Sequence, residues 1–155
     1  MTRLNEILIT PLTATERLVL EQISFGHDPG VGAANLRMAR STFNRHSAQI
    51  GHKLQVKTPP VKVQMGLVSG QLPLPEILAA PASFDEKERQ LWQAHALHSA
   101  AADIAKHSGL QQFDLEGATA SLLLKAGAHN EAHLIRLGHA YGVLTRADVP
   151  PPRAA

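Results

Sequence analysis

Arg40, Ser41, Asn44, Arg45, Ala48 and Gln49 crowd into one short stretch of the chain. Within residues 38–54, MARSTFNRHSAQIGHKL, Phe43, Ser47, Ile50 and Leu54 recur at i, i+4, i+7 and i+11. That is the spacing of one buried helical face. The six residues named first fall on the opposite side, which carries guanidinium, amide, hydroxyl and methyl groups and no acid. Such groups can read base edges in a major groove. Arginine pairs with guanine, asparagine or glutamine with adenine, and a methyl packs on thymine. The same pattern also describes an ordinary amphipathic surface helix, and the residues alone leave both readings open.

The composition narrows what can position that stretch. The chain has 155 residues, 44% of them hydrophobic but only 4% aromatic. A core built from Leu, Ala, Val and Ile favours packed helices over a sandwich. The length suits one domain or two small ones. There is no cysteine, so thiolate chemistry, disulfides and Cys-ligated zinc are excluded. No apolar run approaches a membrane span and residues 1–11 lack a signal-peptide core. The expectation is a cytoplasmic protein without membrane partners. Charge is uneven: residues 1–72 carry 8 Lys/Arg against 4 Asp/Glu, and residues 73–155 carry 7 against 9. The basic excess sits with the candidate reading helix, where a polyanion would require it.

Four helices are expected in the first half. Leu4, Ile7 and Leu8 suggest a turn of helix in the lead-in. Thr13 with Glu16 makes a capping box for a helix over 14–25, closed by Gly26. His27-Asp28-Pro29-Gly30 reads as a turn. A short helix over 31–37 follows, then the segment 38–54. Pro59 and Pro60 after Thr58 open a fourth helix that ends at Gly70.

LTATERLVLEQISFG, a turn, and ANLRMARSTFNRHSAQIGHKLQVKTP together resemble the LuxR/GerE-type helix-turn-helix domain over residues 12–72. The resemblance rests on Leu12-Thr13, Glu16, Val19-Leu20, Ile23, Gly26, Ala33, Leu36, Thr42, His46, Ile50, Lys53-Leu54 and Val56, in one register without a gap. It implies a four-helix unit whose third helix enters the major groove and whose fourth commonly dimerises. By position it assigns base contacts to Asn44 and Arg45, with Ala48 one turn on. Thr42 and Lys53 match phosphate-side positions. Four features depart from the pattern. Gly32 replaces a buried Ile, Pro29 and Gly30 thin the second helix, Arg37 stands where Gly is usual, and Ala39 replaces a Ser N-cap. The second helix is therefore expected to be short or bent.

Residues 73–83, PLPEILAAPAS, read as a Pro-rich linker. Beyond it the chain repeats. A shift of 72 residues lays Glu16-Arg17 on Glu88-Arg89, Ala33 on Ala105, Lys53 on Lys125, Gly66 on Gly138 and Leu72 on Leu144. Eight of 61 positions are identical, several of them at the structural positions of the resemblance. A diverged second copy is inferred over about 84–145, so the expected fold is all-α, two tandem four-helix units. The copy has lost the groove chemistry. Arg40 becomes Gln112, Thr42 becomes Asp114, Asn44 becomes Glu116 and Arg45 becomes Gly117, and carboxylates there would face phosphate charge. Leu122-Leu123-Leu124 suits packing on the first copy or another chain, so a structural or dimerising role is expected. The tail over 146–155, with three consecutive prolines, is expected to be disordered.

The remaining constellations carry little. Among nine histidines, His129/His133 and His95/His98 have helical spacing, but no third ligand is evident and His129-Asn130-Glu131-Ala132-His133 is not the HExxH motif. No metal or cofactor is expected, and no nucleophile–base arrangement suggests an enzyme. Trp92 reads as core. The function expected is sequence-specific duplex-DNA binding by a nucleoid-associated transcriptional regulator, as a homodimer on a pseudo-palindrome. In that reading Arg40, Ser41, Thr42, Gln49 and Lys53 hold the backbone or groove edge while Asn44 and Arg45 read bases. The alternative is a protein-interaction module on the same scaffold that docks on RNA polymerase or another regulator.

Overall fold

Two four-helix halves make up the fold, and no strand occurs among the residues, 9–151, that the computed structural model describes. The first half contains α1 (Ala14–Ser24), α2 (Pro29–Asn35), α3 (Arg40–Leu54) and α4 (Pro59–Val68). The second contains α5 (Glu86–Leu97), α6 (Ala101–Ser108), a single 3-10 turn (Gln112–Asp114) running into α7 (Leu115–Ala126), and α8 (Glu131–Ala140). The expected turn of helix at Leu4, Ile7 and Leu8 lies outside the described residues, as do positions 152–155 of the tail.

The halves match at the 72-residue shift in detail. Helices α1 and α5 both open on a complete capping box, Thr13 with Glu16 and Asp85 with Glu88. Left-handed backbone recurs at Arg37 and Gly109 (φ 56° and 70°) and at Gln55 and Gly127 (φ 58° and 73°). Gly66 leaves room for Leu20 and Leu72, and Gly138 leaves room for their counterparts Trp92 and Leu144. In both halves the leucine N–H donates to the glycine carbonyl at 2.9 Å.

The local chemistry explains each departure from the expected elements. Asp28 is an N-cap rather than part of a free turn: its Oδ1 accepts from Val31 N–H at 2.9 Å, so α2 starts at Pro29. The space left by Gly32 is filled by the Phe43 ring, whose Cε2 would lie 2.7 Å from an added Cβ. The second half solves the same contact with Ile104 and Leu115, both buried. The tail is ordered through Pro151, contrary to the expectation from its prolines. The Asp148 carboxylate accepts from Thr145 N–H and Gln93 Nε2, and Pro150 is buried.

The halves do not stand apart on their linker. α4 packs along α8, while α1 packs on α8 and α5 on α4. Exchanging the halves leaves this pattern unchanged, which is the signature of an isologous contact. One continuous buried cluster runs from Leu12 to Leu144. Polar pairs cross the same seam. His139 Nε2 lies 2.7 Å from Gln64 Oε1, and Gln64 Nε2 donates to the Asp148 carbonyl at 2.6 Å. Asn130 Nδ2 donates to the Gly26 carbonyl at 3.2 Å, and the Arg136 guanidinium stands 4.6 Å over the Phe25 ring. Gly26 itself, at φ +83°, lets the α1 terminus approach His133 and His129 where a Cβ would clash.

Two measurements check this packing. In Gly138→Ala the new methyl would meet Trp92 Nε1 at 2.6 Å, on an indole already fixed by its bond to the Leu134 carbonyl. Overpacking there should lower unfolding free energy by about 1–3 kcal/mol. Gly117→Ala, with nothing within 4 Å, should raise it by roughly 0.5–1 kcal/mol. Equal denaturation midpoints for the two variants would contradict the contact.

Acid should loosen the seam. Burial pushes His139 and His133 down from the ordinary 6.5 to about 4. Between those values the unfolded chain binds protons that the folded chain refuses, so stability falls as pH drops through that window. Urea unfolding at stepped pH should show this slope, and His139→Gln should flatten it; an unchanged slope would exclude His139 as a source.

Candidate nucleic-acid interface

Helix α3 is held by its inward residues. Phe43, Ile50 and Leu54 are fully buried, against α1, α2 and α4. Halfway along, the buried Lys62 of α4 donates to the Ser47 carbonyl at 2.9 Å and to Ser47 Oγ at 3.1 Å. Burial pushes the Lys62 ammonium below its ordinary range. At the C-terminal end Gln55 closes the helix in the left-handed region, and His52 and Lys53 sit in the last turn, where the helix dipole favours cations.

Lys53 has a partner inside the fold. Its Nζ lies 2.6 Å from Glu16 Oε1, on a carboxylate that is only 5% exposed. Glu16 also accepts from Thr13 N–H at 2.9 Å. Burial alone would raise the Glu16 carboxyl, but the bonds from Lys53 and Thr13 outweigh it and hold the group below its usual range. Lys53, to which the resemblance gives a phosphate-side position, is thus also a structural residue of the fold. The pair recurs as Lys125 on Glu88, 2.8 Å apart.

The outward face is open. Arg40, Ser41, Asn44, Arg45, Ala48 and Gln49 are exposed and Thr42 half-buried. Among the described residues none of these side chains makes a hydrogen bond or ion pair, and α3 carries no acid. Ala39 gives no side-chain bond to the first turn, so the leading N–H groups of α3 keep their donors free of a side-chain acceptor. The structure thus brings seven of the eight expected residues onto one solvent-facing surface and leaves out Lys53. Arg37, also exposed, stands in the α2–α3 turn in a left-handed conformation and adds a cation three residues before α3.

The matching surface of α7 has different chemistry. Gln112, Asp114, Glu116 and Gly117 are exposed at the positions of Arg40, Thr42, Asn44 and Arg45. Phe113 and Leu124 are 84% and 85% exposed. Leu122 is core, but Leu124 faces solvent.

Other clusters offer less. His129 and His133 stack 4.9 Å apart, and no group of three or more potential ligands that could hold a metal occurs among the described residues. A groove of about 420 Å³ lies in the second half between His95, Leu115, Glu116, Leu123 and Glu131, away from the α3 face. His95 is satisfied there by Thr119 Oγ1 at 2.9 Å. No helix among the described residues is long and apolar enough to cross a membrane. Compared with known proteins, the chain matches no family, and no curated protein or solved structure is significantly similar to it.

Proposed function

We propose that the chain is a sequence-specific duplex-DNA-binding protein, a transcriptional regulator that lays α3 in the major groove. One observation carries the reading: a 15-residue helix anchored on three sides presents arginine and amide side chains outward, with no partner for them among the described residues and no acid on the helix. Polar side chains left idle on a rigid element are what direct base reading needs. Asn44 and Arg45 read base edges, and Ala48 packs beside them. Arg40, Ser41, Thr42 and Gln49 hold the backbone or groove edge. The missing cap at Ala39, worth about 1 kcal/mol to an isolated helix, fits the same reading, because a phosphate on the free N–H groups would cap α3 on binding.

A second reading is favoured by one surface. Phe113 and Leu124 are large, apolar and exposed, as a docking site on RNA polymerase or another regulator would be. The two readings separate on duplex affinity at physiological salt, which only the first requires.

Arg45→Ala or Asn44→Ala should weaken binding to a selected site by about 1–3 kcal/mol and relax the preference at one base pair. Arg40→Ala should weaken all duplexes alike and flatten the salt slope by about one unit. Lys53→Met should instead lower the denaturation midpoint, because it strands Glu16. Equal loss on selected and random DNA for Arg45→Ala would remove base reading from that residue.

A further inference from the structure

We propose that the chain engages DNA as a monomer and reads a single half-site, its own second half standing where the second subunit of a dimer would stand. The proposal rests on the reading of α3 given above. Helix-turn-helix dimers place one reading helix on each half-site of a two-fold operator. Here the isologous contact is made within one chain. Val61 to Val68 of α4 are all buried, with α8 and α5 as their neighbours from the other half. A second copy cannot use that face without displacing α8, and with it the bonds of Gln64 to His139 and Asp148.

The second reading position is therefore filled by α7 of the same chain, and α7 cannot read. Relative to α3 it has lost the cations of Arg40 and Arg45 and gained the anions of Asp114 and Glu116. Its first turn has tightened into a 3-10 turn. A groove approached by this face meets carboxylates and a bare phenyl ring, and no counterion is released. The scaffold that would hold a reading helix is nonetheless intact. Lys125 still ties α7 to Glu88, and Gly138 still seats Trp92 and Leu144. The inner positions keep their places with altered residues, Trp92 for Leu20 and Leu115 for Phe43, while the outward ones change in charge, so the site is one half of a symmetric reader with the other half switched off by side-chain chemistry.

The test uses the full chain and a library of randomised duplexes about three helical turns long. Wild-type protein should enrich one asymmetric motif, and native mass spectrometry of the complex should show one chain per duplex. A graft, Gln112→Arg with Phe113→Ser, Asp114→Thr, Glu116→Asn, Gly117→Arg and Leu124→His, should enrich the same motif twice as an inverted repeat. The expected centre-to-centre spacing is about 10–10.5 bp or a multiple of it. Affinity should rise at least about tenfold, and the salt slope should steepen by about one unit, from Gln112→Arg at the backbone-holding place of Arg40. Two wild-type chains on an inverted repeat would overturn the proposal while leaving the α3 reading in place. A wild-type chain that binds no duplex would overturn the α3 reading itself. If the graft does not fold, as judged by its melting transition, the stoichiometry of the wild-type complex decides alone. A folded graft that still enriches the single motif would also count against the proposal.

Discussion

The burial of α4 is the constraint from which most of the architecture follows. Val61 to Val68 contact other protein on every side, so the helix cannot be a surface element of a free-standing half. Two of its residues, Lys62 and Gln64, are polar, and burial without partners would cost each several kcal/mol. Lys62 resolves this inside its own half by reaching Ser47 on α3. Gln64 resolves it across the seam, through His139 and the carbonyls of Thr145 and Asp148. The carbonyl partners lie beyond α8, so satisfying one amide in α4 requires the segment after α8 to be ordered. That is why the tail is held through Pro151, where composition alone argued for disorder.

The internal faces of the fold were legible in the sequence to a useful degree. The apolar period placed Phe43, Ile50 and Leu54 inside, and their burial agrees. The capping boxes at Thr13 and Asp85 are visible as residue spacings and form as written. The repeat was weak in identity, yet the shared Gly66 and Gly138, with Leu72 and Leu144, marked the tightest contact in each half. These signals are local, since each needs only neighbours within a turn or a fixed offset along the chain.

What escaped the sequence is long-range. Nothing in VKVQMGLV says which surface covers it, so the α4–α8 contact could equally have been expected between chains. Lys53 looked like a phosphate ligand because only the partner 37 residues away shows that its charge is already engaged. The replacement of a buried side chain by Gly32 looked like a weakness because the ring of Phe43, which fills the space, comes from a different helix. The start of α2 shifted for a smaller reason: Asp28 can serve a turn or cap a helix, and the helix wins when Pro29 has no N–H to lose.

The Glu16–Lys53 and Glu88–Lys125 pairs explain how the two halves can share a scaffold and differ in chemistry. An exposed ion pair contributes little, but Glu16 is almost fully buried. Removing its partner would leave a carboxylate with no counter-charge, a far larger loss than the pair's own net value. Each glutamate is also the N3 residue of its capping box. The pair therefore couples the start of the first helix of a half to the end of the third, and adds to the inward packing that sets how the third helix is rotated. With that rotation fixed from inside, the residues on the opposite side are free of any packing role. In α3 they are arginines and amides; in α7 they are acids, glycine and bare hydrocarbon. Exchange of surface chemistry on a helix whose inner contacts are pinned changes what the surface can bind without changing where it points.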